Sequence, residues 1–265
     1  MLIAQITDTH IKRPGELIYK KVDTLPMLEA AVAHLNRLDT QPDIVLATGD
    51  LVDSGHPEEY AGLRGALGKL KQPVYVIPGN HDERAAMRAA FADHAYLPKS
   101  GAYLHYTVED YPVRLVALDT LIPDNVGGFM DPARCQWLDA ELGKAPDKPT
   151  LIFMHHPPFA VGVDHLDDWG FKGAEEFGAV LARHPQVERV ICGHAHRAMA
   201  LRWRGTAVTV CPSTAHQFAL DFRPKSPPIF TLEPPGFQLH NWRPGVGLIT
   251  HTLCIGDFYA RATRG

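Results

Sequence analysis

No stretch of this 265-residue chain is apolar for long enough to cross a membrane. Positive charge is also short. The 26 Lys and Arg stand against 30 Asp and Glu, a formal net charge of -4, so no global basic field draws the protein to long nucleic acid or anionic lipid. Cysteine is sparse: Cys135, Cys192, Cys211 and Cys254 form no C-x-x-C pair, and Cys192 and Cys211 sit in apolar runs that suit buried free thiols. No internal repeat and no disordered low-complexity tract interrupts the chain. The N-terminus carries no basic segment followed by an apolar one. Its first strand runs straight into Asp8, so a cleaved leader would take part of the candidate site with it, and a cytoplasmic location is expected. What remains is a globular protein, 45% hydrophobic, with length for one large core or a core plus an appendage.

Histidine is abundant, with 15 residues. Several stand where short apolar runs end. Leu2 to Thr7 reads as a buried strand and leads into Asp8-Thr9-His10. Asp43 to Thr48 leads into Gly49-Asp50, and Pro73 to Ile77 into Pro78-Gly79-Asn80-His81-Asp82. Thr150 to Met154 precedes His155-His156, and Arg189 to Cys192 precedes Gly193-His194-Ala195-His196. Helical periodicity over Leu25 to Leu38 and Pro57 to Leu70 alternates with the first three strands, which predicts a parallel sheet covered by helices. Further helices are expected over Asp82 to His94, Asp131 to Leu142 and Phe171 to Arg183. Asp131 is the expected N-cap of the second of these, with Pro132 at its first position. Hairpins are expected around Asp110-Tyr111-Pro112 and Arg204-Gly205. Beyond Arg197 no helix is suggested, and Phe237 to Trp242 and Val246 to Leu253 read as the last strands.

The residue types at these strand ends suit a transition metal: carboxylates, imidazoles and one carboxamide. Asp8 and His10 can converge on one ion. Asp50 is placed to bridge two metals, because a carboxylate has two oxygens to share. Asn80 supplies a neutral oxygen ligand. His81 then lies just outside the ions, where it can contact a phosphoryl oxygen or protonate a leaving group. Asp82 either orients His81 or caps the following helix. Neighbouring residues usually point apart, so one of His155 and His156 is expected to bind metal, with His156 in a supporting place. His216 follows a strand and is a candidate for a substrate or supporting role.

The ordered set Asp-x-His, Gly-Asp, Gly-Asn-His-Asp, a strand-terminal His and Gly-His-x-His resembles the five-block signature of the calcineurin-like metallophosphoesterases. The resemblance covers about residues 2 to 196. Within that family the chain looks most like the bacterial class III phosphodiesterases, which include cyclic-nucleotide phosphodiesterases and glycerophosphodiesterases. Leu2 to His10, residues 49–52 with 55–60, Met154 to Pro158 and Cys192 to His196 look most like a glycerophosphodiesterase. The resemblance implies an α/β fold, a four-layer αββα sandwich with the site at its strand ends. It implies a core over 1–196, a β-rich cap or dimerisation segment over 197–253, and a C-terminal tail over 254–265. One metal would be held by Asp8, His10, Asp50 and His196, the other by Asp50, Asn80, His155 and His194.

The expected activity is hydrolysis of small phosphodiesters at two divalent transition metals (Fe, Mn, Zn or Co). Glycerophosphodiesters are the first substrate class, and 3′,5′-cyclic nucleotides are the alternative. A phosphomonoesterase uses similar parts, and a non-enzymatic scaffold would need eroded ligands, of which there are none here. The expected partners are a small diester substrate and further copies of the chain in a homo-oligomer.

Overall fold

The computed structural model describes residues 1–258. In chain order the elements are β1 (Leu2–Ile6), α1 (Thr24–Arg37), β2 (Ile44–Thr48), α2 (Pro57–Leu67), β3 (Val74–Ile77), α3 (Arg84–Ala90), β4 (Tyr106–Val108) and β5 (Arg114–Leu118). There follow β6 (Leu121–Ile122), β7 (Asn125–Phe129), α4 (Pro132–Gly143), β8 (Thr150–Met154), α5 (Asp164–Asp167), β9 (Phe171–Lys172), α6 (Ala174–Ala182) and β10 (Val187–Cys192). The chain closes with β11 (Met199–Trp203), β12 (Thr206–Val210), β13 (Gln217–Phe218), β14 (Phe230–Thr231), β15 (Gly236–Arg243) and β16 (Gly247–Cys254).

Two sheets carry the architecture. The first has the order β16-β15-β1-β2-β3 and the second β11-β12-β10-β8-β5-β4. Side-chain parity builds the layers. Leu115, Ala117, Leu151, Phe153 and Ile191 face the first sheet, in one apolar core with residues of α1, α2 and α3. Their alternate neighbours Val116, Leu118, Ile152, Met154, Val190 and Cys192 face a second core with α4 and α6. Strand residues alternate faces, so strands buried on both sides read as unbroken apolar runs. The result is the expected αββα sandwich. No helix among the described residues is long and apolar enough to cross a membrane.

β1, β2 and β3 are parallel, and so are β5, β8, β10 and β12. Parallel strands put their carboxyl ends on one side, which is where a site forms in such sheets. Helix starts follow local chemistry. Asp131 caps α4 by accepting from Arg134 N at 2.8 Å, with Pro132 first in the helix. Glu59 Oε2 accepts from the His56 backbone at 3.2 Å, closing a capping box on α2.

Two expectations need correction. α3 begins at Arg84, because Glu83 rather than Asp82 takes the capping place, accepting from Ala85 N and Ala86 N. Phe171 and Lys172 are not helical. They pair with Gly128 and Phe129 in a small sheet, β6-β7-β9, in which β7 runs through residues that carry no alternating pattern. In the β-rich late segment, β11 and β12 extend the second sheet, while β15 pairs antiparallel with β1 and β16 with β15. Between β12 and β15, β13 and β14 pair with each other in a separate two-stranded sheet. The tail expected over 254–265 lies, from residue 259 on, outside the described residues.

Candidate metal centre

The five sequence clusters meet at the carboxyl ends of β1, β2, β3, β8 and β10. Their loops are stitched together in pairs. Asp8 N donates to Gly49 O at 3.0 Å, His10 N to Asp50 O at 2.9 Å, and Gly193 N to His155 O at 2.9 Å. Side chains lock the same turns: His81 N donates to Asp50 Oδ1 at 2.8 Å, and His194 N to the Asp8 carboxylate at 3.0 Å. A Cβ at Gly79 would collide with the Asp50 carboxylate, and one at Gly193 with the Thr7 hydroxyl, so the loops close this tightly only with glycine there. Five of the ten non-glycine residues with left-handed backbone among those described are in the cluster: Asp8, His10, Asp50, His194 and His196, with φ of 44 to 70°. Asp and His tolerate that region better than most residues, but not without strain.

The donor atoms converge in a way that a cation explains. His155 Nδ1–H donates to Thr48 O at 2.8 Å, so Nε2 carries the lone pair in the neutral ring. That Nε2 is buried without a hydrogen-bond partner and faces Asp50 Oδ2 at 3.3 Å. His196 Nδ1–H donates to His216 O at 2.8 Å, which turns its Nε2 toward Asp8 Oδ1 at 3.2 Å and His10 Nε2 at 3.1 Å. Asn80 Oδ1 is buried and also unpartnered. Lone pairs aimed at carboxylates repel unless a proton or a metal lies between them. Among the described residues, four sets of ligand atoms lie within 4.8 Å of one another: Asp8, His10 and His196; Asp8, Asp50 and His155; His155, His156 and His194; and His10, Asp53 and His81. The residues present therefore fit divalent metal.

The titration directions express the same conflict. Burial pushes the Asp50 carboxyl up, but His155, His81 and His10 outweigh it and hold the group well below its ordinary range. Asp8 is likewise lowered, burial being overcome by His196 and His155. His155 rises to about 9, since Asp50 and Asp8 overcome its burial. His194 is held well below its usual value by burial and by His156 and His155.

A cavity of about 340 Å³ opens onto these groups, lined by His10, Asp50, Asn80, His81, His194 and His196, with an outer wall that includes Tyr19, Val126, Trp169, His216 and Phe218. His216 is 2% exposed, its ring packed against His10, His196 and Tyr19, and burial drives it down to about 2, so it is neutral. His156 is buried with Nδ1 on Thr120 Oγ1 at 2.7 Å and is lowered to about 3 by burial and by His155. Asp82 does not orient His81. Its Oδ2 accepts from Gly79 N at 2.9 Å and Leu51 N at 3.1 Å, and its Oδ1 from Tyr60 Oη at 2.9 Å. Asp82 thus braces the turns that carry Asn80 and Asp50, and burial with the nearby Asp50 raises it to about 7. The His81 ring is held instead by Asp53, whose carbonyl accepts from Nδ1–H at 2.7 Å. Asp53, Lys12, Trp169 and Phe218 carry no sequence signal of their own, although Asp53 stands three residues beyond Asp50.

A family model for calcineurin-like phosphoesterases matches residues 1–198. The chain belongs to that family. Calcineurin-like phosphoesterases use a dinuclear divalent metal centre, in keeping with the donor set described above. Among curated relatives of this calcineurin-like phosphoesterase is a probable glycerophosphodiester phosphodiesterase GpdQ of Arcobacter nitrofigilis, 39% identical over 259 residues, covering 97% of this chain and 94% of the relative. The 3′,5′-cyclic adenosine monophosphate phosphodiesterase CpdA of Escherichia coli K12 is 30% identical over 216 residues, covering 82% and 77% of the two chains. Among solved structures, a dimetal phosphatase from Danio rerio shares the calcineurin-like fold with a TM-score of 0.61 at 17% identity, covering 97% of this chain and 99% of that one.

Proposed function

We propose that this metallophosphodiesterase hydrolyses small phosphodiesters, glycerophosphodiesters first, with Asp8, His10, Asp50 and His196 holding one metal and Asp50, Asn80, His155 and His194 the other. The observation that carries the ligand assignment is the pair of imidazole lone pairs aimed at carboxylates, His155 at Asp50 and His196 at Asp8. The glycerophosphodiester preference is supported by the 39% identity to a relative of that name along nearly the whole length of both chains. Bound, the two ions supply Lewis-acid charge and an activated water nucleophile.

The protein's own residues do the rest. Asp50 draws the two halves of the centre together. His81 has Nδ1–H fixed on the Asp53 carbonyl, which leaves Nε2 as its free ring nitrogen. Burial lowers His81, yet Asp50 and Asp53 outweigh burial and raise it, which favours the doubly protonated ring. In this reading it hands a proton to the departing alkoxide. His216 is neutral and buried, and serves the site through its carbonyl on His196 and its ring in the cavity wall. His156 supports His155 and His194 from behind. Residues 213–231 supply part of the wall and restrict what reaches the ions, and the chain forms a homo-oligomer.

A cyclic-nucleotide substrate is the second reading, favoured by the relatives of that name. One assay separates them. Metal-free protein is refilled in turn with Zn, Fe, Mn and Co and offered glycerophosphoethanolamine, cyclic AMP, an aryl diester and an aryl monoester. The glycerophosphodiester should be turned over with the highest kcat/KM among the natural substrates. A preference for cyclic AMP selects the second reading, a monoester preference removes both, and no turnover with any metal removes the enzymatic reading. Solution mass by light scattering decides the oligomer.

A further inference from the structure

We propose that a second cavity, distinct from the one over the metal centre, is a binding site for a small alkylammonium ion. It has a volume of about 420 Å³, and its wall includes Phe159, Phe171, Trp203, Asp167, Glu175 and His194. That size suits a small organic ligand. His194 borders both cavities, and the Trp169 ring, 5.0 Å from it, lines the first. The aromatic wall is held from behind. Phe177 of α6, fully buried, packs against Phe171 at 6.4 Å and against Trp203 at 5.7 Å between centroids. Phe159, Phe171 and Trp203 are each half-buried, so part of each ring stays uncovered.

Charge decides the class of ligand. Among the described residues no lysine or arginine lines this cavity, while two carboxylates do. Glu175 is matched by Arg204, whose guanidinium also lies 5.8 Å from the Trp203 centroid. Asp167 has no such partner. Its Oδ1 accepts from Val161 N at 2.6 Å and its Oδ2 from Gly162 N at 3.0 Å, and among the described residues no side-chain cation pairs with it. The two backbone donors fix the carboxylate in place and leave its negative charge unmatched. A half-buried carboxylate beside aromatic faces attracts an organic cation, whose carbon groups pack on the rings. The same carboxylate repels phosphate, so the two cavities accept opposite charges. Under the glycerophosphodiesterase reading, the amino alcohol released from glycerophosphoethanolamine is a ligand of this class; the binding itself does not rest on that reading.

The probe is choline, set against its neutral analogue with a tert-butyl group in place of the trimethylammonium. In the full chain with zinc bound, titration calorimetry should show saturable choline binding, about tenfold or more tighter than that of the neutral analogue. Asp167→Asn removes the unmatched charge and should weaken choline about tenfold or more. Trp203→Leu removes one ring of the wall and should weaken it about 2- to 30-fold, the range for a cation over an aromatic face. Saturating inorganic phosphate should leave choline bound. No choline binding, equal binding of the neutral analogue, or wild-type affinity in either variant overturns the proposal. Displacement of choline by phosphate overturns it as well, because the cation then sits at the metal centre. Should Asp167→Asn fail to fold, Trp203→Leu and the neutral analogue decide, since neither alters the backbone contacts of Asp167. Turnover is read in none of these titrations, so a failure of the phosphodiesterase reading would leave their outcome standing.

Discussion

The two sheets contribute different chemistry to one site. The first sheet, through the ends of β1, β2 and β3, supplies every oxygen donor in the cluster: Asp8, Asp50 and Asn80, with His10 and His81 beside them. The second, through β8 and β10, supplies imidazoles alone: His155, His156, His194 and His196. Negative charge thus sits on one wall and adaptable neutral donors on the other, facing each other at 3.2 to 3.3 Å in the closest pairs. Neither wall is a site alone. The sandwich must close before the carboxylates of the first sheet meet the imidazoles of the second, so assembly of the centre reports on packing of the whole core.

That division can be broken from the charged side first. Asp50→Asn should lower kcat/KM roughly a thousandfold on every diester, since several kcal/mol of charge stabilisation at about 1.4 kcal/mol per decade is lost for both ions. A loss under tenfold would mean that Asp50 is not shared. His81→Ala, on the same wall but outside the proposed ligands, should be selective. Steady-state rates on alkyl diesters should fall by about a hundredfold or more, and those on activated aryl diesters by far less. Equal losses on both would remove the proton-donor role.

The smallest effect is on stability, and it is read through pH. For Asp8 and Asp50 the folded value lies below the ordinary 3.8, so their contribution is present above that pH and is lost as pH falls below it. For His155 the folded value is raised from 6.5 to about 9, so its contribution is complete below 6.5 and is lost as pH rises through about 9. Buried His156, His194 and His216 are lowered from 6.5, so their contribution is lost as pH falls below 6.5, and metal-free protein should therefore have its highest melting temperature near pH 6.5, with His155 setting the alkaline limb. Calorimetry in chelator across pH 3 to 10 checks this, and His155→Gln should flatten the alkaline limb only. A melting temperature that is unchanged between pH 6.5 and 9 would contradict the pairing of His155 with Asp50.

The five clusters were readable in the sequence because each follows a short apolar run that can only be a buried strand, and parallel strands deliver their ends to one place. Asp8, His10, Asp50, Asn80, His155, His194 and His196 all arrive there, and His81, His156 and His216 lie beside them. The bonding of Asp82 was not legible, because its carboxylate points away from the His81 ring and from the start of α3. Its side chain turns back beneath the 79–82 turn toward Gly79, Leu51 and Tyr60. Asp53 and Lys12 carry no local pattern, since their meaning comes from a loop crossing between β1 and β2. The pairing of β15 with β1 joins residues nearly the whole chain apart, Leu2 with Asn241, and no periodicity announces a partner at that distance. Trp169 and Phe218 carry no sequence signal, and only the cavity distinguishes them.

The left-handed backbone at Asp8, His10, Asp50, His194 and His196 has a consequence for how this gene tolerates change. Each such residue gives up on the order of 1–3 kcal/mol against glycine. A saturation library sorted for abundance alone should therefore enrich glycine and asparagine at these five positions and reject valine and isoleucine, while the same library sorted for turnover should return the native residues. The places where the chain is most costly to fold are those where selection for activity holds it, and a copy relieved of catalysis would drift first there, gaining thermal tolerance as it lost its metals.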